Sequence, residues 1–71
     1  MILTGTVSVK LKNGRIVPAH YTKECRNVVV HCDDSDFFET ESIDTTDYSV
    51  EQDALWCLKK IIIEKGGEID E

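Results

Sequence analysis

Long apolar runs are absent from this sequence. Its longest purely aliphatic runs are three valines at 28–30 and three isoleucines at 61–63, whereas roughly 20 apolar residues are needed to cross a bilayer. The first residues show no basic segment followed by a long apolar one, which is the pattern of a secretion signal. We therefore expect no membrane-spanning segment and a cytoplasmic location, which would be the host cytoplasm if the chain is viral.

The cysteines of this sequence do not have the spacing of a common metal motif. The three cysteines, Cys25, Cys32 and Cys57, cannot all pair within one chain, which favours a reducing compartment. Thiols and imidazoles bind zinc, but there is no C-x-x-C, and the neighbours His31 and Cys32 would point to opposite faces of a strand. Cys25 or Cys32 could act as a nucleophile with a histidine as base, but the sequence shows no third group to orient the histidine and no oxyanion site. We therefore predict no metal site, no cofactor and no enzyme activity, with Cys57 buried in the core.

Positive charge is missing from the middle of the chain. The sequence has 14 acidic and 8 basic residues, for a net charge of −6, yet no Lys or Arg lies between Arg26 and Lys59. The residues before this gap are locally basic. We refer to the acids within the gap as the acidic stretch: Asp33, Asp34, Asp36, Glu39, Glu41, Asp44, Asp47, Glu51 and Asp53.

Two interpretations of the acidic stretch are open. In the structural one, the acids at 33–36 shape a turn, those at 47–53 complement the positive end of a helix, and Glu39 and Glu41 lie on a solvated strand face. In the functional one, these mutually repelling charges are retained because a partner binds them. An extended strand separates alternate residues by about 6.6 Å. The pairs Asp34/Asp36 and Glu39/Glu41 would then space carboxylates regularly along one side, as phosphates are spaced along DNA.

Alternating apolar and polar residues predict strands in the first half of the chain. Between Leu3 and Leu11 the odd positions are apolar or glycine and the even positions polar, a period typical of a half-buried strand. The apolar run at 27–32 predicts a third strand, and the aromatic and threonine residues after the turn at 33–36 favour a returning fourth strand. The predicted strands are 2–12, 15–23, 27–32 and 37–43.

The first hairpin has a preferred register. Asn13-Gly14 favours a turn with positive φ, and a three-residue loop with Gly14 in the left-handed region keeps the apolar residues of both strands on one face. We favour it over a two-residue loop that pairs Leu11 with Ile16. Pro18 has no amide hydrogen, so the second strand is either an edge strand or turns that position away from a neighbour. The favoured register pairs Val9 with Val17, Val7 with Ala19 and Gly5 with Tyr21.

A C-terminal helix is predicted over 50–65. Ser49 can cap it, with Gln52 three residues later as in a capping box, and Gly66-Gly67 ends it. The tail at 67–71 is expected to fray. A chain of 71 residues has room for one domain, so we predict a single α+β domain over 1–71, a four-stranded antiparallel meander packed against one C-terminal helix (ββββα). At about 100° per residue the helix places one apolar arc toward the core: Val50, Ala54, Leu55, Cys57, Leu58, Ile61 and Ile62.

Trp56 and Ile63 lie outside that arc. They are seven residues apart and therefore share a side of the helix. One interpretation is that they pack against the edge of the sheet or the loop before the helix. The other is a symmetric homodimer contact, because an exposed Trp beside an aliphatic residue is typical of a buried interface anchor. We predict the homodimer.

In size, charge segregation and a strand-rich fold with one helix, the chain resembles small acidic phage-type proteins that imitate DNA, including inhibitors of histone-like nucleoid proteins and some anti-CRISPR proteins. The resemblance implies a DNA mimic that binds the basic surface of a nucleic-acid-binding protein and competitively blocks DNA binding. We expect no direct nucleic-acid binding and no membrane binding. No motif is shared, so all nine acids of the acidic stretch are assigned to partner binding by charge alone. The alternative is a structural or regulatory subunit that contacts its partner through the Trp56 helix face. In that case the acidic residues only keep the surface solvated and bind no partner.

Overall fold

The computed structural model describes residues 2–44 and 50–70 and confirms the α+β fold. Four antiparallel strands form a meander in the order β1-β2-β3-β4, and one helix packs against one face of that sheet. This helix is too short and insufficiently apolar to cross a membrane, and no other described helix qualifies. The elements are β1 (Ile2–Lys10), β2 (Ile16–Glu24), β3 (Asn27–Cys32), a 3-10 helix (Ser35–Phe37), β4 (Thr40–Asp44) and α1 (Val50–Glu64).

The β1–β2 hairpin has the predicted register. Val9 pairs with Val17, and the pairing continues to Gly5 opposite Tyr21. Gly14 has a φ of +89°, and the Leu11 amide donates to the Arg15 carbonyl across the three-residue loop. Pro18 lies in an inner strand, where its carbonyl accepts from the Asp33 amide just beyond the end of β3. The amide and carbonyl of a strand residue point to the same side. The nitrogen of Pro18, which has no hydrogen to donate, therefore points toward the region just beyond the end of β3.

Tyr21 lies across Gly5 in this hairpin. A Cβ built on Gly5 would overlap the ring of Tyr21, which is buried. The glycine therefore gives the tyrosine ring room to lie over the backbone of β1, and any larger residue at this position would push the ring out of the core. The period-2 pattern predicted that both residues share a face but not that one covers the other.

The β2–β3 hairpin turns through Cys25 and Arg26, between the paired residues Glu24 and Asn27. Cys25 has a φ of +56°, the left-handed region in which a Cβ crowds the following carbonyl. Its side chain is exposed, so nothing in the core compensates for this crowding. The turn therefore stores local strain.

We expect Cys25→Gly to raise the free energy of unfolding by about 0.5–1 kcal/mol. Removing the Cβ relieves about 1–2 kcal/mol of crowding, and the added freedom of glycine in the unfolded chain offsets about 0.5–1 kcal/mol of that. Urea unfolding at constant pH measures the change. Cys25→Ala is the matched control because it keeps the Cβ, and an equal gain in the alanine variant would exclude strain as the cause.

The fourth strand starts later than predicted. Residues 37–39 are not in a strand: Asp34 caps the 3-10 helix by accepting from the Asp36 amide at 2.9 Å, which turns the chain before β4 begins at Thr40. This turn buries Phe37 in the core and leaves Phe38 exposed. The predicted ends of the first two strands and of the helix differ by one or two residues from β1, β2 and α1, whereas β3 has its predicted bounds.

The glycine pair at 66–67 ends α1, as predicted, whereas the described part of the tail is not frayed. Gly66 has a φ of +86°, and the Gly67 amide donates back to the Ile62 carbonyl at 2.8 Å, the geometry of a Schellman motif. A Cβ on Gly67 would lie 2.5 Å from Ile62 Cγ2, so only glycine fits this close approach. Ile69 then bridges to Leu11 beside the end of β1. The described part of the tail is therefore hydrogen-bonded to the sheet.

The core lies between α1 and one face of the sheet. The predicted arc of α1 is confirmed: five of its residues are buried, and Val50 and Leu55 are half-buried against them. The predicted cap Ser49 and the acid Asp47 lie outside the described residues. The buried apolar residues are Val9, Leu11, Val17, Ala19, Tyr21, Val28, Val30, Cys32, Phe37, Ala54, Cys57, Leu58, Ile61 and Ile62.

Candidate functional site

The acidic stretch does not form one continuous exposed surface. Asp34 and Asp53 are buried, with 9% and 7% of their surface exposed, and Glu41 is half-buried. Of the residues assigned to partner binding, Asp34 and Asp53 therefore present almost no surface, and Glu41 presents only part of its side chain. The alternating spacing predicted for Asp34 and Asp36 is wrong, because the 3-10 helix replaces an extended strand there.

Arg15 neutralises the start of the acidic stretch. Its Nη2 donates to both carboxylate oxygens of Asp34, at 2.8 and 2.7 Å, and its Nη1 donates to Asp36 at 2.5 Å. The hydrogen bond to Asp36 is the main reason why the pKa of Arg15 is raised above its ordinary value, and both carboxylates add to it. Charge-assisted hydrogen bonds of this kind are the strong ones, and here they satisfy a buried carboxylate while the same guanidinium also binds Asp36. The guanidinium therefore holds the 3-10 helix against the first hairpin.

Other basic groups lie near the rest of the stretch. Lys60 Nζ, on α1, lies 4.0 Å from Glu41, and Lys65 Nζ, directly after α1, lies 3.5 Å from Glu39. His20 Nδ1 lies 2.9 Å from the Asp33 carboxylate. Exposed ion pairs contribute little to stability, but the two lysines reduce the local charge that a partner would meet.

Among the described residues before α1, four acids of the stretch stay exposed: Asp33, Asp36, Glu39 and Asp44. The side chains of Asp36 and Glu39 are 64% and 50% exposed despite their ion pairs. Glu51 is also exposed at the start of α1, where it complements the positive helix end. The candidate acidic surface is therefore smaller than the sequence predicted and less charged.

Trp56 and Ile63 are exposed together, as predicted. They are 54% and 62% exposed on the side of α1 that faces away from the sheet. Lys59, Lys60 and Glu64 complete the lining of a shallow groove around them. The Lys60 ammonium lies 5.4 Å from the centre of the Trp56 ring, a cation–π distance. We call this surface the Trp56 face.

The three cysteines differ in access. Cys25 is exposed, whereas Cys32 and Cys57 are fully buried, as predicted for Cys57. Burial raises the pKa of both inner thiols, that of Cys57 to about 11, which makes them poor nucleophiles at neutral pH. Within residues 2–44 and 50–70, no group of three or more His, Cys, Asp or Glu side chains is arranged to hold a metal ion.

The sequence did not predict that His20 and His31 would pair. They are direct partners across β2 and β3 on the face opposite the helix, and their rings lie 5.2 Å apart. Finding this pair from the sequence requires the β2–β3 register, which depends on a two-residue turn without glycine at Cys25 and Arg26. The usual signal for such a turn, Asn-Gly or Asp-Gly, is missing.

Comparison with known proteins yields no relative from which a function could be transferred. No protein-family model, no curated protein and no solved structure matches the chain. Two candidate interaction surfaces therefore remain, the Trp56 face and the exposed acids.

Proposed function

We propose that this chain is a binding module that contacts a protein partner through the Trp56 face. The observation that carries the proposal is the joint exposure of Trp56 and Ile63 on a helix whose opposite side is committed to the core. Tryptophan is one of the residues enriched among energetically dominant interface contacts. An exposed tryptophan beside an isoleucine costs solubility, and a partner that covers both is the simplest reason to retain them.

The charges of the Trp56 face define the partner. Lys59 and Lys60 outnumber Glu64 in the lining of the groove, so a complementary surface combines an apolar side chain with more acidic than basic ones. In a symmetric contact centred between Trp56 and Ile63, these lysines would meet the same lysines of the second copy. Like charges at a two-fold axis repel, which favours a different, acidic protein over the homodimer. The homodimer stays a prediction that the same experiments test.

We expect Trp56→Glu to abolish partner binding. Removing a buried interface tryptophan costs at least about 2 kcal/mol, or roughly 30-fold in Kd, and the introduced carboxylate also repels an acidic partner. Immobilised wild-type and variant protein are exposed to the same bacterial lysate, and the bound proteins are identified and their affinities measured. Phe38→Glu is the matched control, since Phe38 is an exposed aromatic residue, at 63%, outside the Trp56 face.

Sedimentation of the wild type and of Trp56→Glu shows whether the Trp56 face binds a different protein or a second copy of the chain. A monomeric wild type that captures an acidic protein supports the proposal. If the wild type is a dimer and Trp56→Glu is a monomer, the Trp56 face is instead covered by a second copy of the chain. Capture that is lost in Phe38→Glu but kept in Trp56→Glu would contradict the Trp56 face as the binding surface.

DNA mimicry is the second candidate function. The exposure of Asp33, Asp36, Glu39 and Asp44 favours it, together with the net charge of −6, because a basic DNA-binding surface would release counterions on binding them. The partner would be a nucleic-acid-binding protein whose DNA site is blocked. The ion pairs of Asp36 and Glu39 with Arg15 and Lys65 reduce the support for this candidate.

The two candidates differ in salt dependence and in the residues on which they rely. If the chain is a mimic, rising salt should weaken its binding to the partner, and duplex DNA should compete for the same partner. Binding should also be lost when four acids are changed together to Asn or Gln: Asp33, Asp36, Glu39 and Asp44. These positions are exposed, whereas changing Asp34 would also remove the cap of the 3-10 helix. Capture that survives this quadruple variant excludes mimicry by the acidic stretch.

A further inference from the structure

His20 and His31 form a side-by-side pair on the open face of the sheet. Their neighbours Ala19 and Cys32 are buried beneath α1, so the two imidazoles point away from the helix. Residues directly opposite each other in an antiparallel pair have Cβ atoms about 4.5–5.5 Å apart. The measured separation of 5.2 Å between the ring centres follows from this register, and the side chain of His20 is 52% exposed.

Each ring is held through its Nδ1 atom. His20 Nδ1 lies 2.9 and 3.1 Å from the two carboxylate oxygens of Asp33. An ionised carboxylate only accepts hydrogen bonds, so Nδ1 carries the proton and the lone pair of the neutral ring is on Nε2. His31 Nδ1 lies 2.8 Å from Thr40 Oγ1, which can accept in the same way. Phe38 packs edge-on against His31, with ring centres 4.7 Å apart, and limits its rotation.

This arrangement is the one that prepares histidine to bind a metal ion. Metal-binding imidazoles usually donate their other ring N–H to a carboxylate or another oxygen, which fixes the tautomer and makes the free nitrogen a better ligand. We propose that the Nε2 atoms of His20 and His31 bind one divalent transition-metal ion of the imidazole-binding class, Cu²⁺, Ni²⁺ or Zn²⁺. Asp33 and Thr40 act as positioning residues for the two rings.

The spacing of the rings fits such an ion. With nitrogen–metal distances of about 2.0–2.1 Å, two imidazoles at a tetrahedral angle have ring centres roughly 5 Å apart, close to the observed 5.2 Å. The part of the chain that the structure describes supplies no third ligand, so water completes the coordination. The site is therefore open, and we expect it to bind more weakly than a structural zinc site with four protein ligands.

Nickel titration of the full chain tests the site. We expect Ni²⁺ to bind with one-to-one stoichiometry at pH 7.5 by calorimetry, and to broaden the ring proton resonances of both histidines in parallel. His20→Gln and His31→Gln should each weaken binding by at least about tenfold, since losing a ligand costs no less than losing its hydrogen-bond partner. Asp33→Asn should weaken it less than either. Both histidines are on the open face, and thermal melts without metal verify that the variants fold.

Cys25→Ser is the control for the exposed thiol and should leave nickel binding unchanged. Nickel held by that thiol or by the amino terminus would survive both histidine changes, and this result would overturn the proposal. Broadening of only one histidine, or equal affinity in wild type and His31→Gln, would overturn it as well.

Discussion

Replacing Leu58 with alanine is expected to lower the free energy of unfolding by about 2–5 kcal/mol, the range measured for buried leucines that leave a cavity. Leu58 is fully buried in α1 against the sheet. Typical stabilities of about 0.05–0.15 kcal/mol per residue give a chain of 71 residues only about 4–11 kcal/mol in total. The variant should therefore lose a large fraction of its stability. Urea unfolding followed by circular dichroism measures the difference.

Ile63→Ala is the matched control for Leu58→Ala. It removes an aliphatic side chain from the same helix, but that side chain is 62% exposed, so the expected change is within about 0.5 kcal/mol. The comparison is made at low protein concentration, which keeps any contact through the Trp56 face out of the measurement. Equal losses in the two variants would contradict the placement of Leu58 between helix and sheet.

Alkaline destabilisation is the second large effect we expect, and Cys57 is its source. Burial, with added repulsion from Glu41 and Asp53, raises the pKa of the Cys57 thiol from 9.0 to about 11. Below pH 9 the thiol is neutral in both folded and unfolded chains and costs nothing. Between pH 9 and 11 only the unfolded chain ionises, so the folded state loses stability as pH rises. Two pKa units correspond to about 2–3 kcal/mol.

The pH dependence of Cys57→Ala isolates this contribution. Tyrosine and lysine side chains titrate in the same range in both proteins, so the difference between their urea stabilities from pH 8 to pH 11 reports the thiol. We expect the wild type to lose more stability than the variant over this range, although the variant starts lower because of its cavity. Parallel losses would show that the Cys57 thiol ionises equally well in the folded protein.

The fold could be predicted largely from local patterns. Alternation between residues 3 and 11 and the turn at Asn13-Gly14 predicted the first hairpin and its register, because a one-residue slip would turn Val9 and Val17 to opposite faces. In α1, the 3.6-residue period placed the buried arc on one side of the helix and Trp56 and Ile63 outside it. Each of these features depends on residues that are close in sequence, so its signal survives without tertiary contacts.

The outcome of the acidic stretch could not be predicted in this way. Asp34 and its partner Arg15 are 19 residues apart, and they meet because the 3-10 helix replaces the start of a strand beside the first hairpin. Lys60 lies near Glu41, and Lys65 near Glu39, only because α1 packs against the sheet. Charge counts along the chain record which residues are present, whereas neutralisation depends on distances that the fold creates.

By itself, the sequence determined a four-stranded meander beneath one helix, the buried arc of that helix and the exposure of Trp56 and Ile63. The tertiary structure decided which acids stay exposed, that the tail joins β1, and that His20 lies beside His31. The division has one physical reason. Periodicity specifies which way a side chain points from its own element, but the register of β2 against β3 and the position of α1 over the sheet specify what that side chain meets.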